Sequence, residues 1–215
     1  MGKYRLLQDQ AYDRLREKAL SGDFDKDQFY SEAKTASELS MSRTPVRDAL
    51  LRLEQEGLIE IFPSRGYQLR KMTKDDASNL YQMRGAIEGY CSALLAKESE
   101  TSQAELTLSQ LRANLDVQMS IYEGTHDPDA FAEADYEFHQ HIVRFSGNKE
   151  FERIFETNHR KITEYLKRFH YFQERMDITY KEHLSLYEIL ANGDPLDAFD
   201  YATMHIRASE FINVV

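Results

Sequence analysis

The sequence predicts a mainly α-helical protein of two parts, a small N-terminal helix-turn-helix module with a β-hairpin and a larger all-α helical bundle. Apolar residues recur at helical spacing through most of the 215 residues, and strand-like alternation occurs only in the first third. The charge divides at the same place. Residues 1–73 hold 13 Lys and Arg against 12 Asp and Glu, whereas residues 74–215 hold 14 against 25. A nearly neutral module therefore precedes an acidic one.

The first elements are predicted to be two helices and a turn. The opening helix has an apolar stripe formed by Leu6, Leu7, Ala11, Leu15 and Ala19. Gly22 predicts the end of this helix. A short helix is predicted over residues 34–40, and a turn follows at Met41 and Ser42.

The next helix begins directly after this turn. Ser42 or Thr44 can cap it, and Pro45 falls in its first turn, where a missing N–H costs no helical hydrogen bond. Its apolar face, at i, i+3, i+4 and i+7, consists of Val46, Ala49, Leu50 and Leu53. Because that face packs inward, Arg43 and Arg47 must point away from it.

A β-hairpin completes the module. Gly57 ends the helix, "LIEIF" at residues 58–62 alternates as a strand does, and residues 63–66 form a turn into "YQLRK". The order helix, turn, helix and hairpin is that of a winged helix-turn-helix, which we assign to residues 1–72. The hairpin carries Arg65, Arg70 and Lys71 and no acid, so its tip can lie against a phosphate backbone or reach a minor groove.

The stretch "SRTPVRDALLRLEQEGLIEIFPSRGYQL" resembles the wing motif of the GntR family of bacterial transcription regulators. In that family the start of the second helix enters the major groove. The resemblance therefore implies base or phosphate contacts from Arg43, Thr44 and Arg47, and it places Gly66 at the wing tip. The planar fork of arginine suits the two acceptors of guanine, which agrees with this placement.

One position departs from the family pattern. Many relatives carry a DNA-contacting arginine where this chain has Ala33, and the neighbouring Lys34 is the residue that can reach a phosphate instead. A pair of such modules reads two half-sites of DNA. The resemblance thus implies a homodimer bound to double-stranded DNA at a short palindromic operator.

Residues 73–215 predict the all-α bundle. Helical periodicity is interrupted at five places, which indicates about six helices. Their predicted ranges are 74–98, 102–123, 129–146, 149–172, 175–192 and 195–213. No apolar run reaches the length of a membrane span, and Cys91 is the single cysteine. The sequence therefore predicts a cytoplasmic protein with no internal disulfide and no membrane partner.

Four polar side chains are expected to face the interior of this bundle. Asp135 and His139 are four residues apart on one apolar face, and His183 and His205 lie on the apolar faces of two further helices. A buried carboxylate and three buried imidazoles are costly unless they share a partner, and a divalent cation is such a partner. Zinc and nickel both suit these ligands. The remaining histidines are expected to be structural or solvated, namely His126, His141, His159 and His170.

The C-terminal part is similar to the FCD domain of the FadR-like branch of the same family, in its shorter VanR-type version. In metal-containing FCD domains an Asp and three His hold the ion, and these match Asp135, His139, His183 and His205. The resemblance also implies that a small organic acid binds over the metal and changes DNA affinity. Arg84 matches an arginine of the first FCD helix and is the candidate second contact to this effector. The alternative is an intrahelical ion pair with Glu88, at i+4.

The favoured function is a metal-containing repressor, not an enzyme, that a small carboxylate releases from DNA. A metal-dependent hydrolase could use the same four residues with a metal-bound water, although no separate general base stands at a defensible position. A constitutive DNA-binding protein with a purely structural metal is the second alternative. In that case no small acid would change DNA affinity.

Overall fold

The computed structural model describes residues 6–20, 24–25, 28–70, 73–159, 161–163 and 173–210. Within these residues the chain is mainly helical with one two-stranded sheet, which confirms the predicted fold class. The chain divides into two compact units, residues 1–72 and 73–215. Across the described residues, no helix is both long enough and apolar enough to cross a membrane.

The N-terminal unit contains three helices followed by a hairpin. Its elements are α1 (Leu7–Leu20), α2 (Glu32–Glu38), α3 (Arg43–Gln55), β1 (Ile59–Phe62) and β2 (Gly66–Leu69). The strands are antiparallel, with Ile59 opposite Leu69 and Phe62 opposite Gly66. This order is that of the predicted winged helix-turn-helix.

Helix α1 contributes fewer residues to the core than its apolar pattern predicts. Ala11, Leu15 and Ala19 are fully buried, but Leu6 and Leu7 are 62% and 58% exposed. The predicted stripe is wrong at its start, because these two leucines lie at the beginning of the helix, one turn before the first residue that the core covers. The predicted end at residue 22 lies outside the described residues.

Helix α2 begins two residues earlier than predicted, and the turn after it also comes earlier. Leu39 and Ser40 form this turn, with Ser40 at a φ of 54°, whereas the sequence placed it at Met41 and Ser42. Left-handed backbone is most often occupied by Gly, Asn or Asp. A serine in this conformation is therefore not a signal that a sequence pattern marks.

Helix α3 presents its apolar face inward, as predicted. The fully buried residues of that face are Val46, Ala49, Leu50 and Leu53. Ser42 precedes the helix in extended conformation without a side-chain capping hydrogen bond, and Pro45 lies in the first turn. Gly57, at a φ of 69°, follows the helix and turns the chain into β1.

A third segment pairs with the hairpin at its base. The Tyr30 N–H donates to the Tyr67 carbonyl at 2.7 Å, and the Tyr67 N–H donates to the Tyr30 carbonyl at 2.9 Å. Gly66 adopts a φ of 106°, and a Cβ atom there would overlap the Tyr30 carbonyl oxygen. Gly66 therefore begins β2, next to the turn at residues 63–65, and only glycine fits at this position.

The C-terminal unit is built from helices. They are α4 (Lys74–Lys97), α5 (Ser102–Glu123), α6 (Pro128–Phe145), α7 (Lys149–Thr157), α8 (Gln173–Asn192) and α9 (Pro195–Glu210). Helix α9 packs along α4, while α5 packs against α6 and α8. A Cβ atom on Gly89 of α4 would lie 2.7 Å from Thr203 Oγ1 of α9, so the absence of a side chain allows this close approach.

The fourth predicted helix of this unit is interrupted. The sequence predicted one helix over residues 149–172, but α7 ends at Thr157 and Asn158 is a turn residue. The Asn158 side chain donates to the Ile154 carbonyl at 2.8 Å. Such local bonds compete with the helical backbone ladder and favour a break. Residues 161–163 are helical again, and residues 164–172 and 211–213 of the predicted ranges lie outside the described residues.

Helix α6, which carries two of the predicted metal ligands, has a well-defined start. Asp127 accepts a hydrogen bond from the backbone N–H of Asp129 at 2.9 Å, and Pro128 is the first helical residue. The cap and the proline fix where the helix begins. Because residues four apart lie on the same face of a helix, Asp135 and His139 are on the same, buried side.

Candidate metal centre

Three imidazoles from three helices meet inside the C-terminal unit. His139 on α6, His183 on α8 and His205 on α9 are each no more than 3% exposed. Their Nε2 atoms are 3.2 Å apart for His139 and His183, 3.1 Å for His183 and His205, and 3.3 Å for His139 and His205. Among the described residues, these three offer ligand atoms close enough to share one metal ion.

Carboxylates hold the second ring nitrogen of two of these histidines. His139 Nδ1 lies 2.6 Å from Glu88 Oε2, and His205 Nδ1 lies 2.7 Å from Glu182 Oε2. An ionised carboxylate can only accept a hydrogen bond, so both Nδ1 atoms carry the proton. The lone pair of each ring is then on Nε2, which faces the other two rings.

An amide holds the second nitrogen of the third histidine. His183 Nδ1 lies 2.8 Å from Gln118 Oε1, and Gln118 Nε2 donates to Asn114 Oδ1 at 2.8 Å. Because the amide nitrogen of Gln118 is already directed at Asn114, its oxygen is the group that accepts from His183. This ring therefore has the same tautomer as the other two.

When the three rings are neutral, their Nε2 lone pairs thus converge within 3.3 Å. Lone pairs at this separation repel one another in a buried site, whereas a cation among them would be coordinated. Two nitrogens bound to one ion at about 2.0–2.1 Å lie about 2.9 Å apart in octahedral geometry and about 3.3 Å apart in tetrahedral geometry. The observed separations fall in this range, so the residues fit a divalent metal such as zinc or nickel.

Asp135 lies beside the three imidazoles. Its Oδ1 is 3.7 Å from His139 Nε2, its Oδ2 is 3.9 Å from His183 Nε2, and the side chain is 2% exposed. The structure therefore brings all four predicted ligands, Asp135, His139, His183 and His205, to one place. A donor set of three imidazoles and one carboxylate is typical of zinc and nickel sites in proteins.

Arg84 and Glu88 form a buried ion pair behind this cluster. Arg84 Nε donates to Glu88 Oε1 at 2.6 Å, and both side chains are 1% exposed. The intrahelical ion pair considered for Arg84 is therefore present. Burial opposes ionisation of Glu88, but the charge of Arg84 and the contact with His139 outweigh it and hold the Glu88 pKa at about 2. Burial lowers the pKa of His139, which favours the neutral, metal-binding form.

Three members of the site were not identified from the sequence as acceptors for the histidines. The sequence pattern indicated Glu88 only as a possible partner of Arg84. It did not indicate Gln118 or Glu182. Gln118 precedes its partner by 65 residues, a distance that helical spacing does not bridge. A signal was present in α5, because Asn114 and Gln118 interrupt a face otherwise formed by apolar residues such as Leu111 and Leu115.

The side chains predicted to contact DNA lie on the surface of the N-terminal unit. The exposed ones are Lys34, Arg43, Thr44, Arg47 and Arg65. The first is on α2, the next three are in the first two turns of α3, and Arg65 is in the turn between β1 and β2. Gly66 is partly exposed, and its position is set by the Tyr30 carbonyl.

Comparison with known proteins agrees with this architecture. The chain matches the FCD domain family over residues 79–208 and the gntR family of bacterial regulatory proteins over residues 7–69. It is 25% identical over 147 residues to the uncharacterized HTH-type transcriptional regulator YdhC of Bacillus subtilis (strain 168), covering 68% of this chain and 64% of that protein. It is 33% identical over 116 residues to the HTH-type transcriptional repressor RspR of Escherichia coli (strain K12), covering 54% and 49%. The matches thus span less than two thirds of the length of either relative.

A solved structure shows the same fold over nearly the whole chain. The crystal structure of a GntR regulator from Rhodococcus sp. RHA1 superposes with a TM-score of 0.72, covering 94% of this chain and 95% of that one. Its sequence identity is 21%, so this likeness concerns the fold alone.

Replacing Glu88 with Gln should lower the free energy of unfolding by about 3–5 kcal/mol, because Arg84 then stays buried without a counter-charge. The measurement is urea unfolding in the presence of a chelator, so that metal binding makes no contribution. Glu137→Gln on α6 is the matched control, since Glu137 is exposed, and its effect should stay within about 0.5 kcal/mol. Equal losses in the two variants would contradict the role given to the ion pair.

Proposed function

Because the chain belongs to the GntR family of bacterial regulatory proteins and carries an FCD domain, we propose that it is a transcription repressor controlled by a small carboxylate that binds at a divalent metal. The observation that carries this proposal is the convergence of three buried imidazole nitrogens within 3.3 Å. A buried site of this kind, in a chain that also has a winged helix-turn-helix, supports a sensor joined to a DNA-binding module.

DNA recognition belongs to the N-terminal unit in this proposal. Because the apolar face of α3 is buried, the exposed Arg43, Thr44 and Arg47 at its start are free of the core and available to the major groove. Lys34 and Arg65 supply contacts to the DNA backbone on either side. A homodimer places two such modules on the half-sites of a short palindromic operator.

The C-terminal unit holds the metal and the effector. Asp135, His139, His183 and His205 would hold a divalent ion, with zinc or nickel as the expected metals. When bound, the metal supplies Lewis-acid coordination for a carboxylate oxygen of the effector. The polar atoms that fix the three rings are supplied by Glu88, Gln118 and Glu182, so the ligands are oriented before any effector arrives.

Arg84 is the second contact that we propose for the effector. Arg84 donates to Glu88 through Nε at 2.6 Å and through one Nη at 3.4 Å. A guanidinium has five N–H donors, so Arg84 can also donate to a second carboxylate. When an effector carboxylate pairs with Arg84, the ion pair between Arg84 and Glu88 is broken and Glu88 takes a different partner. Because Glu88 also holds His139, this exchange links effector binding to the orientation of a metal ligand.

The two alternative functions make different predictions. The matching families and the named relatives are regulators, and RspR is named a repressor, which favours regulation over hydrolysis. Turnover of simple esters or phosphates by the metal-loaded protein would support the hydrolase. DNA affinity that no small acid changes would support a constitutive DNA-binding protein with a structural metal.

Replacing Arg47 with Ala should weaken operator binding by about 1–3 kcal/mol and relax the preference at one base position. The operator is first recovered from a random-sequence duplex library with the wild-type protein, and affinities are then measured by fluorescence anisotropy at fixed salt.

Arg52→Gln is the matched control for this experiment. Arg52 is exposed on the same helix, but it pairs with Asp9 at 2.9 Å and lies 3.9 Å from the ring centre of Tyr12, so it is engaged within the unit. This variant should keep the wild-type base preferences. Unchanged operator binding by Arg47→Ala would mean that the start of α3 does not read DNA.

A small carboxylate should weaken operator binding by the metal-loaded protein about 5- to 150-fold, the usual range for coupled sites. The measurement is a titration of mono-, di- and tricarboxylates into the protein–DNA complex, repeated after removal of the metal with a chelator. The chelated protein should not respond. Because coupling is reciprocal, DNA should weaken binding of the active acid by the same factor. An equal response with and without metal would contradict the proposed site.

A further inference from the structure

The arginine of the wing turn does not extend freely into solvent. The Arg65 backbone N–H donates to the Phe62 carbonyl at 3.1 Å, which closes the turn between β1 and β2. The guanidinium carbon of Arg65 lies 4.3 Å from the centre of the Phe29 ring. This separation is well within the range of a cation–π contact. The side chain is exposed to solvent, but its guanidinium packs against the Phe29 ring.

The Phe29 ring is itself held by the wing. Its centre lies 5.1 Å from that of Phe62, at an interplanar angle of 78°, which is an edge-to-face arrangement. Phe29 and Phe62 are both partly buried. One ring thus contacts an aromatic residue of β1 and an arginine of the turn that follows β1.

The backbone next to Phe29 is fixed to the other strand of the wing. Tyr30 exchanges two backbone hydrogen bonds with Tyr67, at 2.7 and 2.9 Å, and the two tyrosine rings are stacked with centres 5.7 Å apart. Gly66 lets the Tyr30 carbonyl approach β2 closely. Phe29 therefore lies beside the wing, although it belongs to the segment before α2, because the neighbouring Tyr30 pairs with β2.

We propose that Phe29 is a positioning residue that presents Arg65 to DNA, an inference that rests on the proposed DNA-binding function. A free arginine side chain loses conformational freedom when it binds a phosphate or a base edge. Holding the guanidinium against a ring before DNA arrives reduces this loss, and the exposed outer edge of the guanidinium keeps donors available. The contact depends on an aromatic face and a cation, and the planar guanidinium can also stack on the ring as an ammonium cannot, which makes the contact testable by residue type.

The test is a double-mutant cycle in the full chain on a duplex recovered from a random-sequence library by the wild-type protein. Phe29→Leu should weaken binding about two- to fivefold, as expected for loss of an exposed cation–π contact. Phe29→Tyr should bind DNA with wild-type affinity, because the aromatic face is kept. In the Arg65→Gln background, Phe29→Leu should have no further effect on affinity.

An equal effect of Phe29→Leu in both backgrounds would overturn the inference, because Phe29 would then act on the wing without Arg65. If Phe29→Leu does not fold, Arg65→Lys decides the question, since lysine keeps the charge but not the planar face. Its affinity should fall about two- to fivefold, as for Phe29→Leu, and wild-type affinity would overturn the inference. If the wild-type chain recovers no duplex, the proposed DNA-binding function fails and this inference fails with it. Specific wild-type binding without coupling in the cycle overturns this inference alone.

Discussion

The C-terminal unit is organised around three imidazole nitrogens whose lone pairs point at one another. Each ring donates its Nδ1–H outward to an oxygen, which leaves the Nε2 atoms of the neutral rings facing one another. Among the described helices α4 to α9, all except α7 supply a member of this arrangement. The contributors, in chain order, are Glu88 on α4, Gln118 on α5, Asp135 and His139 on α6, Glu182 and His183 on α8, and His205 on α9. A cation bound among the nitrogens would therefore connect five helices through one point.

The buried ion pair of Arg84 and Glu88 places a charged carboxylate next to this arrangement. A carboxylate at 1% exposure is costly to ionise, and Arg84 is the main group that keeps Glu88 charged. The charged carboxylate in turn fixes the tautomer of His139. In some proteins a buried ionic group selects one arrangement over others, and we infer the same role for this pair. Here that arrangement is the one in which His139 Nε2 faces the other two imidazoles.

Much of this architecture follows from local sequence patterns, because it depends on which face of a helix is apolar. The inward face of α3, the outward position of Arg43 and Arg47, and the meeting of Asp135 with His139 all follow from helical spacing. Contacts between segments that are far apart in the sequence do not follow from local patterns. The pairing of Gln118 with His183, and that of Phe29 with Arg65, depend on how helices and loops pack in three dimensions. The turn at Asn158 coincides with a side-chain hydrogen bond to the Ile154 carbonyl, which helical periodicity does not indicate.

We propose that a divalent ion binds among the three imidazoles, and elemental analysis of the purified protein would detect it. The wild-type chain is measured beside His183→Ala, which removes one ligand, and His126→Asn, which changes an exposed histidine at a φ of 53°, a conformation that asparagine tolerates. We expect about one ion per chain in the wild type and in His126→Asn, and none in His183→Ala. A wild-type chain that holds no metal after incubation with zinc and with nickel would contradict the proposed metal site.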